Sequence, residues 1–303
     1  MERIEIIAAN VGPAKLNIAY ERIGNPDAPP LLLIHGLGAQ LIGWPDGFCS
    51  ALVERGLQVI RFDNRDVGRS SHISDAPAPD LPAVLRGDLS SVSYTLSDMA
   101  ADTIGLLDVL GIDSAHLVGA SMGGAIAQTV AIEHPERVRS LTSIMSTTGD
   151  MKVGQATSET MKALFGGPPA VTRQDVINRQ IRAFSVVGSP GFPTERKLVV
   201  ASAELAYDRG YDPIGLARQA IASVASGDRT KPLQHINLPT LVIHGLDDVM
   251  CDVSGGRATA TAIPKSKLVL IKGMGHNLPQ GLWSEFAQHI ADIVRIGEIR
   301  IRH

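Results

Sequence analysis

The chain has 303 residues, with 28 Lys and Arg against 31 Asp and Glu and a formal net charge of −3. It carries neither a basic stripe nor an acidic tail, which argues against a polyanion-binding protein. Hydrophobic residues make up 44% and aromatics 4%, enough for a large core built mainly of Leu, Ile, Val and Ala.

The N-terminus, MERIEIIAAN, has charges and strand-like alternation in place of an apolar leader. No apolar run approaches ~18 residues, so no transmembrane helix is expected, and the default location is the cytoplasm. Cys49 and Cys251 are isolated, and two such thiols read as small buried hydrophobes in a reducing compartment.

RIEIIAAN (3–10) and KLNIAYERIG (15–24) alternate apolar and polar residues as half-exposed strands do. LLLIHG (31–36) is a continuous apolar run ending in glycine, the pattern of a strand buried on both faces. LQVIRFDNRDVGRS (57–70) opens from a short apolar run into a polar loop. From Thr95 to Leu110 the residues Leu96, Met99, Ala100, Thr103, Leu106, Leu107 and Leu110 recur at helical spacing. Thr95 with Asp98 reads as a capping box and Gly111 as the stop. AHLVGA (115–120) is a strand, MGGAIAQTVAIEHP (122–135) a helix ended by Pro135, and VRSLTSIM (138–145) a strand.

Between residues 147 and 235 the alternation breaks down into a polar, Gly/Pro-punctuated and mainly helical stretch. TLVIHG (240–245) and SKLVLIKG (266–273) then restore buried strands. LWSEFAQHIADIVRI (282–296) is an amphipathic helix with Leu282, Phe286, Ile290 and Val294 on one face. Strands alternating with helices predict an α/β fold: a mostly parallel sheet with helices on both faces. Residues 1–146 and 236–303 form the core domain, and 147–235 is a helical insertion into it.

Ser121 lies at a strand-to-helix junction inside Gly119-Ala120-Ser121-Met122-Gly123, a G-x-S-x-G match. In parallel sheets ligands bind beyond the carboxyl ends of the strands, which is where this serine falls. A serine hydroxyl is a weak nucleophile and needs an oriented base. His276, in the glycine-rich loop KGMGHNLP after the last strand, lies on the same rim. His35 and His244 end strands near the same cleft and read as structural, while His116, His134, His289 and His303 have other homes. The acid is expected between serine and base in the chain. Asp248, after TLVIHG, is preferred, with Asp247 and Asp150 as alternatives. A developing oxyanion needs backbone donors; the N–H of Met122 supplies one and that of Leu37, in His35-Gly36-Leu37-Gly38, the other.

In order along the chain, HGLG, DNRDVGRS, GASMGG, HGLDD and GMGHNLP together resemble the α/β-hydrolase superfamily over nearly the whole length. The resemblance implies Ser121 as nucleophile, Asp248 as acid, His276 as base and a cap formed by 147–235. The DNRDVGRS turn, with Asp66 where many members carry glycine, looks like the lipase/esterase branch that includes aclacinomycin methylesterase-like carboxylesterases. The expected activity is carboxylic ester hydrolysis by a Ser-His-Asp triad, with no metal or organic cofactor. The expected partner is a small-molecule ester, with no nucleic acid and no integral membrane association. The rivals are the same triad on a lactone, thioester, amide or C–C bond, a perhydrolase, and a non-catalytic ligand-binding relative. Phe165, Phe184, Phe192 and Tyr207 of the insertion are expected to form an apolar ceiling over the substrate; the alternative is that they only pack the insertion onto the core.

Overall fold

The structure is a computed structural model that describes residues 4–167 and 170–301, without the side chain of Phe165. Its centre is an eight-stranded sheet in the order β1-β2-β4-β3-β5-β6-β7-β8. The strands are β1 (Ile6–Val11), β2 (Leu16–Ile23), β3 (Pro30–Ile34), β4 (Gln58–Phe62), β5 (Ala115–Ala120), β6 (Val138–Ile144), β7 (Thr240–Gly245) and β8 (Lys267–Ile271). β1 and β2 run antiparallel, forming a half-exposed edge. From β4 to β8 every pairing is parallel.

Successive side chains of a strand point to opposite faces, and the run after Pro30 uses both. Leu31 and Leu33 face α1 (Asp46–Val53), which contributes Phe48 and Leu52, and α11 (Trp283–Ile301), which contributes Phe286, Ile290 and Val294. Leu32 and Ile34 face α3 (Leu96–Val109) and α4 (Met122–Glu133) on the other side, beside Met99, Leu107, Ile126 and Val130. α2 (Leu81–Leu85) is a single short turn on the way to α3, and α10 (Ser254–Ala262) crosses between β7 and β8. The Thr95–Asp98 capping box at the start of α3 is formed.

Between β6 and β7 the chain builds α5 (Ser158–Phe165), α6 (Arg173–Val187), α7 (Arg196–Arg209), α8 (Pro213–Ala225) and α9 (Thr230–Leu233). Among the described residues no helix is long and apolar enough to cross a membrane.

The strand order reverses beside β3, which pairs with β4 on one side and β5 on the other. At such a switch point the loops after the two strands diverge and leave a crevice. The loops here are 35–40 after β3 and the turn at Ser121 after β5, so the topology brings HGLG and GASMGG together.

Two histidines are held neutral within this frame. His116 on β5 is fully buried, its Nδ1 2.7 Å from the Ser140 hydroxyl, and burial lowers its pKa to about 4. His35 packs against the Trp44 ring at 5.1 Å, and burial lowers it to about 4 as well. Both values lie below the 6.5 of an ordinary imidazole, so the unfolded chain binds these protons first. Their contribution to stability is complete above pH 6.5 and is lost as the pH falls toward 4. Denaturant titrations at pH 7 and pH 5 are expected to differ by on the order of 2 kcal/mol per histidine. In His116→Gln one share of that difference should vanish; an unchanged pH dependence in this variant would contradict the neutral burial of His116.

Candidate active site

β5 ends at Ala120 and α4 begins at Met122, so Ser121 alone makes the turn, with φ 55° and ψ −123°. A non-glycine residue at positive φ costs about 1–3 kcal/mol and persists only where its surroundings enforce it. Two glycines make the enforcement possible. A Cβ on Gly119 would lie 2.1 Å from the Gly123 carbonyl oxygen, and one on Gly123 would lie 2.0 Å from the Ile34 carbonyl oxygen. Strand, turn and helix therefore pack backbone to backbone. The Ser121 N–H is tied to the Ile144 carbonyl at 2.9 Å, and its side chain is left on the rim.

His276 reaches the same point from the loop after β8. Its Nε2 lies 3.0 Å from the Ser121 Oγ, and its Nδ1 lies 2.7 Å from Asp248 Oδ2. The carboxylate fixes the tautomer: Nδ1–H donates to Asp248, which leaves Nε2 to accept the serine O–H. The other Asp248 oxygen accepts the N–H groups of Met250 and Cys251 at 2.9 and 2.8 Å. Burial alone would raise the Asp248 pKa. The charge of His276, the hydrogen bonds from His244 and His276, and the Cys251 N–H outweigh it and hold this carboxyl well below the usual carboxylate range. A hydroxyl, an imidazole and an ionised carboxylate in one line can move a proton off the oxygen as that oxygen attacks a carbonyl.

The other two aspartates are elsewhere. Asp247 is exposed and accepts the Gly273 N–H at 2.7 Å, which braces the loop carrying His276. Asp150 accepts the Lys152 N–H in a local turn. His244 is buried, and its Nε2 lies 2.8 Å from the Cys251 carbonyl oxygen, on the segment whose N–H groups bind Asp248.

Beside Ser121 stands the turn 36–39. The Gly36 N–H donates to His35 Nδ1, the Gly38 N–H to Gln219 Oε1, and the Ala39 N–H to the Gly36 carbonyl. Among the described residues no acceptor is paired with the Leu37 N–H or with the Met122 N–H, the first of α4. A Cβ on Gly36 would come within 2.9 Å of the Ser121 Cβ, so this turn lies directly against the serine.

The DNRDVGRS segment builds a buried charged knot beneath the helices between β6 and β7. Asp63 accepts the Leu41 and Arg69 N–H groups and pairs with Arg209 at 2.6 Å. Asp66 accepts the Tyr94 hydroxyl at 2.8 Å and lies 3.5 Å from Arg218. Arg65 forks onto Asp102 at 2.6 and 2.7 Å. Asp66, His72 and Asp212 are the one group among the described residues whose ligand-type atoms converge, within 4.8 Å. These atoms are already engaged: His72 Nδ1 lies 2.7 Å from Asp212, and Asp66 also accepts the Ile73 N–H. The group is part of the knot.

Phe184, Phe192 and Tyr207, the three residues of the expected aromatic ceiling whose side chains are described, are not gathered in one place. Phe192 packs against the core beside α11. Tyr207 stacks on Tyr211 at 5.7 Å, with the Arg173 guanidinium over its ring. Phe184 lines a cavity of about 500 Å³ with Ser189, Pro190, Asp247 and Val249, where residues 184–194 meet the loop carrying Asp248. The Phe165 side chain lies outside the described residues. Gln219 and Ser189, which bond to the two loops of the site, are absent from the sequence-level expectations. The polar pair Arg218-Gln219 on the otherwise small and apolar buried face of α8 is the signal that could have found the first.

The chain matches the family described as alpha/beta hydrolase fold over residues 29–279, and it belongs to that family. Among curated proteins, rhodomycin D methylesterase DnrP of Streptomyces peucetius is 28% identical to it, over 92% of this chain and 95% of that protein. DauP, the rhodomycin D methylesterase of Streptomyces sp. strain C5, is 28% identical over the same shares. Among solved structures, a 2-hydroxy-6-oxo-6-phenylhexa-2,4-dienoate hydrolase from Rhodococcus sp. strain RHA1 superposes with a TM-score of 0.74 at 21% identity. That alignment covers 97% of this chain and 99% of the other, a likeness of fold.

Proposed function

We propose that this chain is a carboxylic ester hydrolase working by acyl transfer through Ser121. The observation that carries the reading is the unbroken line Ser121 Oγ, His276 Nε2, His276 Nδ1 and Asp248 Oδ2, at 3.0 and 2.7 Å. Ser121 attacks the ester carbonyl as His276 takes its proton. His276 then gives that proton to the departing alcohol, and Asp248 holds the ring and stabilises its cation. The N–H groups of Leu37 and Met122 receive the oxyanion. Water, deprotonated by the same imidazole, releases the acid. The relatives named methylesterases support a small alcohol as leaving group.

Residues 147–235 act as the cap over this site, and they set the acyl preference, because the rim loops fix the reaction without fixing the group it acts on. Phe184 and Phe192 divide the roles. Phe184→Ala is expected to change the ranking of short against long esters by about 10-fold, equivalent to ~1.4 kcal/mol of differential transition-state binding. Phe192→Ala should instead lower the melting temperature and leave the ranking alone. An unchanged ranking in Phe184→Ala would place specificity in another part of the chain.

The decisive assay compares methyl, ethyl and p-nitrophenyl esters of graded acyl length with lactones, thioesters and aryl amides. Esters are expected to lead in kcat/KM, with methyl esters among the good substrates. A leading amide or lactone activity would replace the ester reading while keeping the triad; no turnover of any class would favour a ligand-binding protein.

A further inference from the structure

The insertion is hydrogen-bonded to both loops on which the reaction depends. On one side stands Gln219 of α8, fully buried. Its Oε1 accepts the Gly38 N–H at 2.8 Å, and its Nε2 donates to the Arg65 carbonyl at 2.7 Å. This amide completes the donor accounting of the turn 36–39: with the Gly36, Gly38 and Ala39 N–H groups engaged, the Leu37 N–H is the donor left over for a substrate oxygen. Without it the Gly38 N–H has no acceptor, and a buried unpaired N–H is costly enough to make the turn rotate toward another partner. Such a rotation carries the adjoining Leu37 N–H with it.

On the other side stands Ser189, also buried, in the segment between α6 and α7. β8 is the edge of the sheet, and among the described residues no further strand braces the loop that follows it. Residues 187–191 take that place. The His276 N–H donates to the Val187 carbonyl at 2.7 Å, and the Gly191 N–H donates to the Gly273 carbonyl at 2.9 Å. The Ser189 hydroxyl accepts the Gly275 N–H at 2.9 Å and donates to Asn277 Oδ1 at 2.5 Å, gripping the residues immediately before and after His276.

We propose that Gln219 and Ser189 are positioning residues of the reaction, Gln219 holding the oxyanion turn and Ser189 holding the histidine loop, so that seating the cap and assembling the catalytic groups are one event. The inference rests on the hydrolase reading above and adds to it that the cap acts on kcat as well as on substrate choice. A displacement of about 1 Å at a reacting group can cost on the order of 100-fold in rate, and these bonds restrain displacements of that size.

The test measures kcat, KM and the rate of labelling by a fluorophosphonate, in which the Ser121 oxygen bonds to phosphorus, fluoride leaves and the serine proton passes to His276. In Gln219→Leu, kcat and labelling rate are expected to fall by at least about 10-fold, with KM within about 3-fold of wild type. Should that variant fail to fold, Gln219→Asn, which keeps an amide too short to span both partners, is expected to give the same split. Ser189→Ala should lose about 10-fold in both rates. Leu205→Ala trims an exposed side chain of α7 away from both loops, and it should label at close to the wild-type rate. Folded variants of Gln219 and Ser189 that label like wild type would overturn the proposal. So would a rise in KM at constant kcat, or an equal loss in Leu205→Ala. A wild-type chain that does not label at all would instead overturn the hydrolase reading.

Discussion

Ser121→Ala is expected to lower kcat by a factor of about 10⁴–10⁶, with the fold intact, because the covalent route depends on one oxygen. The rest of the site survives the change. His276 keeps its bond to Asp248 at 2.7 Å, and the turn 36–39 keeps the partners that leave the Leu37 N–H free. What remains is substrate binding and oxyanion stabilisation, which alone leave a weak background rate. Alanine is no more strained than serine at this positive φ, and thermal melting should be near wild type. Steady-state turnover on the best ester of the screen is the measurement. A purified, folded variant keeping more than a tenth of wild-type turnover would show that Ser121 is not the nucleophile.

Asp248→Asn is expected to cost about 10⁴ in kcat, by analogy with the serine-protease aspartate. In the proposed mechanism the carboxylate holds the imidazole with Nε2 free to accept, and it stabilises the cation formed in the transition state. An amide with its nitrogen toward His276 would favour the opposite tautomer, with the proton on Nε2 facing the serine. Asp247→Asn is expected to cost little, because that side chain is exposed and accepts only a loop N–H. The depressed Asp248 pKa carries a further consequence. Its folded value lies below the ordinary 3.8, so its contribution to stability is present above pH 4 and is lost as the pH falls through the folded value. Above pH 4 the carboxylate is ionised, and any fall in rate there on acidification belongs to another group. Small, equal losses in Asp247→Asn and Asp248→Asn would move attention to Asp150.

The core strands were legible because burial on both faces writes itself as short, continuous apolar runs; LLLI and TLVI are examples. The places of Ser121 and His276 followed, since each stands where such a run gives way to glycines at a carboxyl end. α1 was not foreseen. It is a short segment after Pro45, and only its packing on α11 through Phe48 and Phe286 makes its apolar face visible. α11 runs on to Ile301, beyond the expected end at 296, because no glycine–proline stop follows Ile296 and Gly297 packs against the Arg139 backbone. Long-range charge pairing left no local trace. Nothing near Asp63 announces Arg209, 146 positions away, or near Gly38 announces Gln219. Ser189, within Gly188-Ser189-Pro190-Gly191, reads as a plain turn, and only the place of β8 at the edge of the sheet gives its hydroxyl a task. The aromatic residues of the insertion were visible as a group, but composition cannot say which of them face a cleft and which, like Phe192, face the core.

The proposed mechanism requires a covalent bond to one oxygen, that of Ser121. Intact-mass measurement after exposure to a fluorophosphonate, followed by peptide mapping, tests that bond without knowledge of the natural substrate. The expected result is one adduct per chain, located on Ser121, with ester turnover lost in step with labelling and no adduct in Ser121→Ala. An adduct on a different residue, or full ester turnover by a chain whose Ser121 is fully modified, would contradict it.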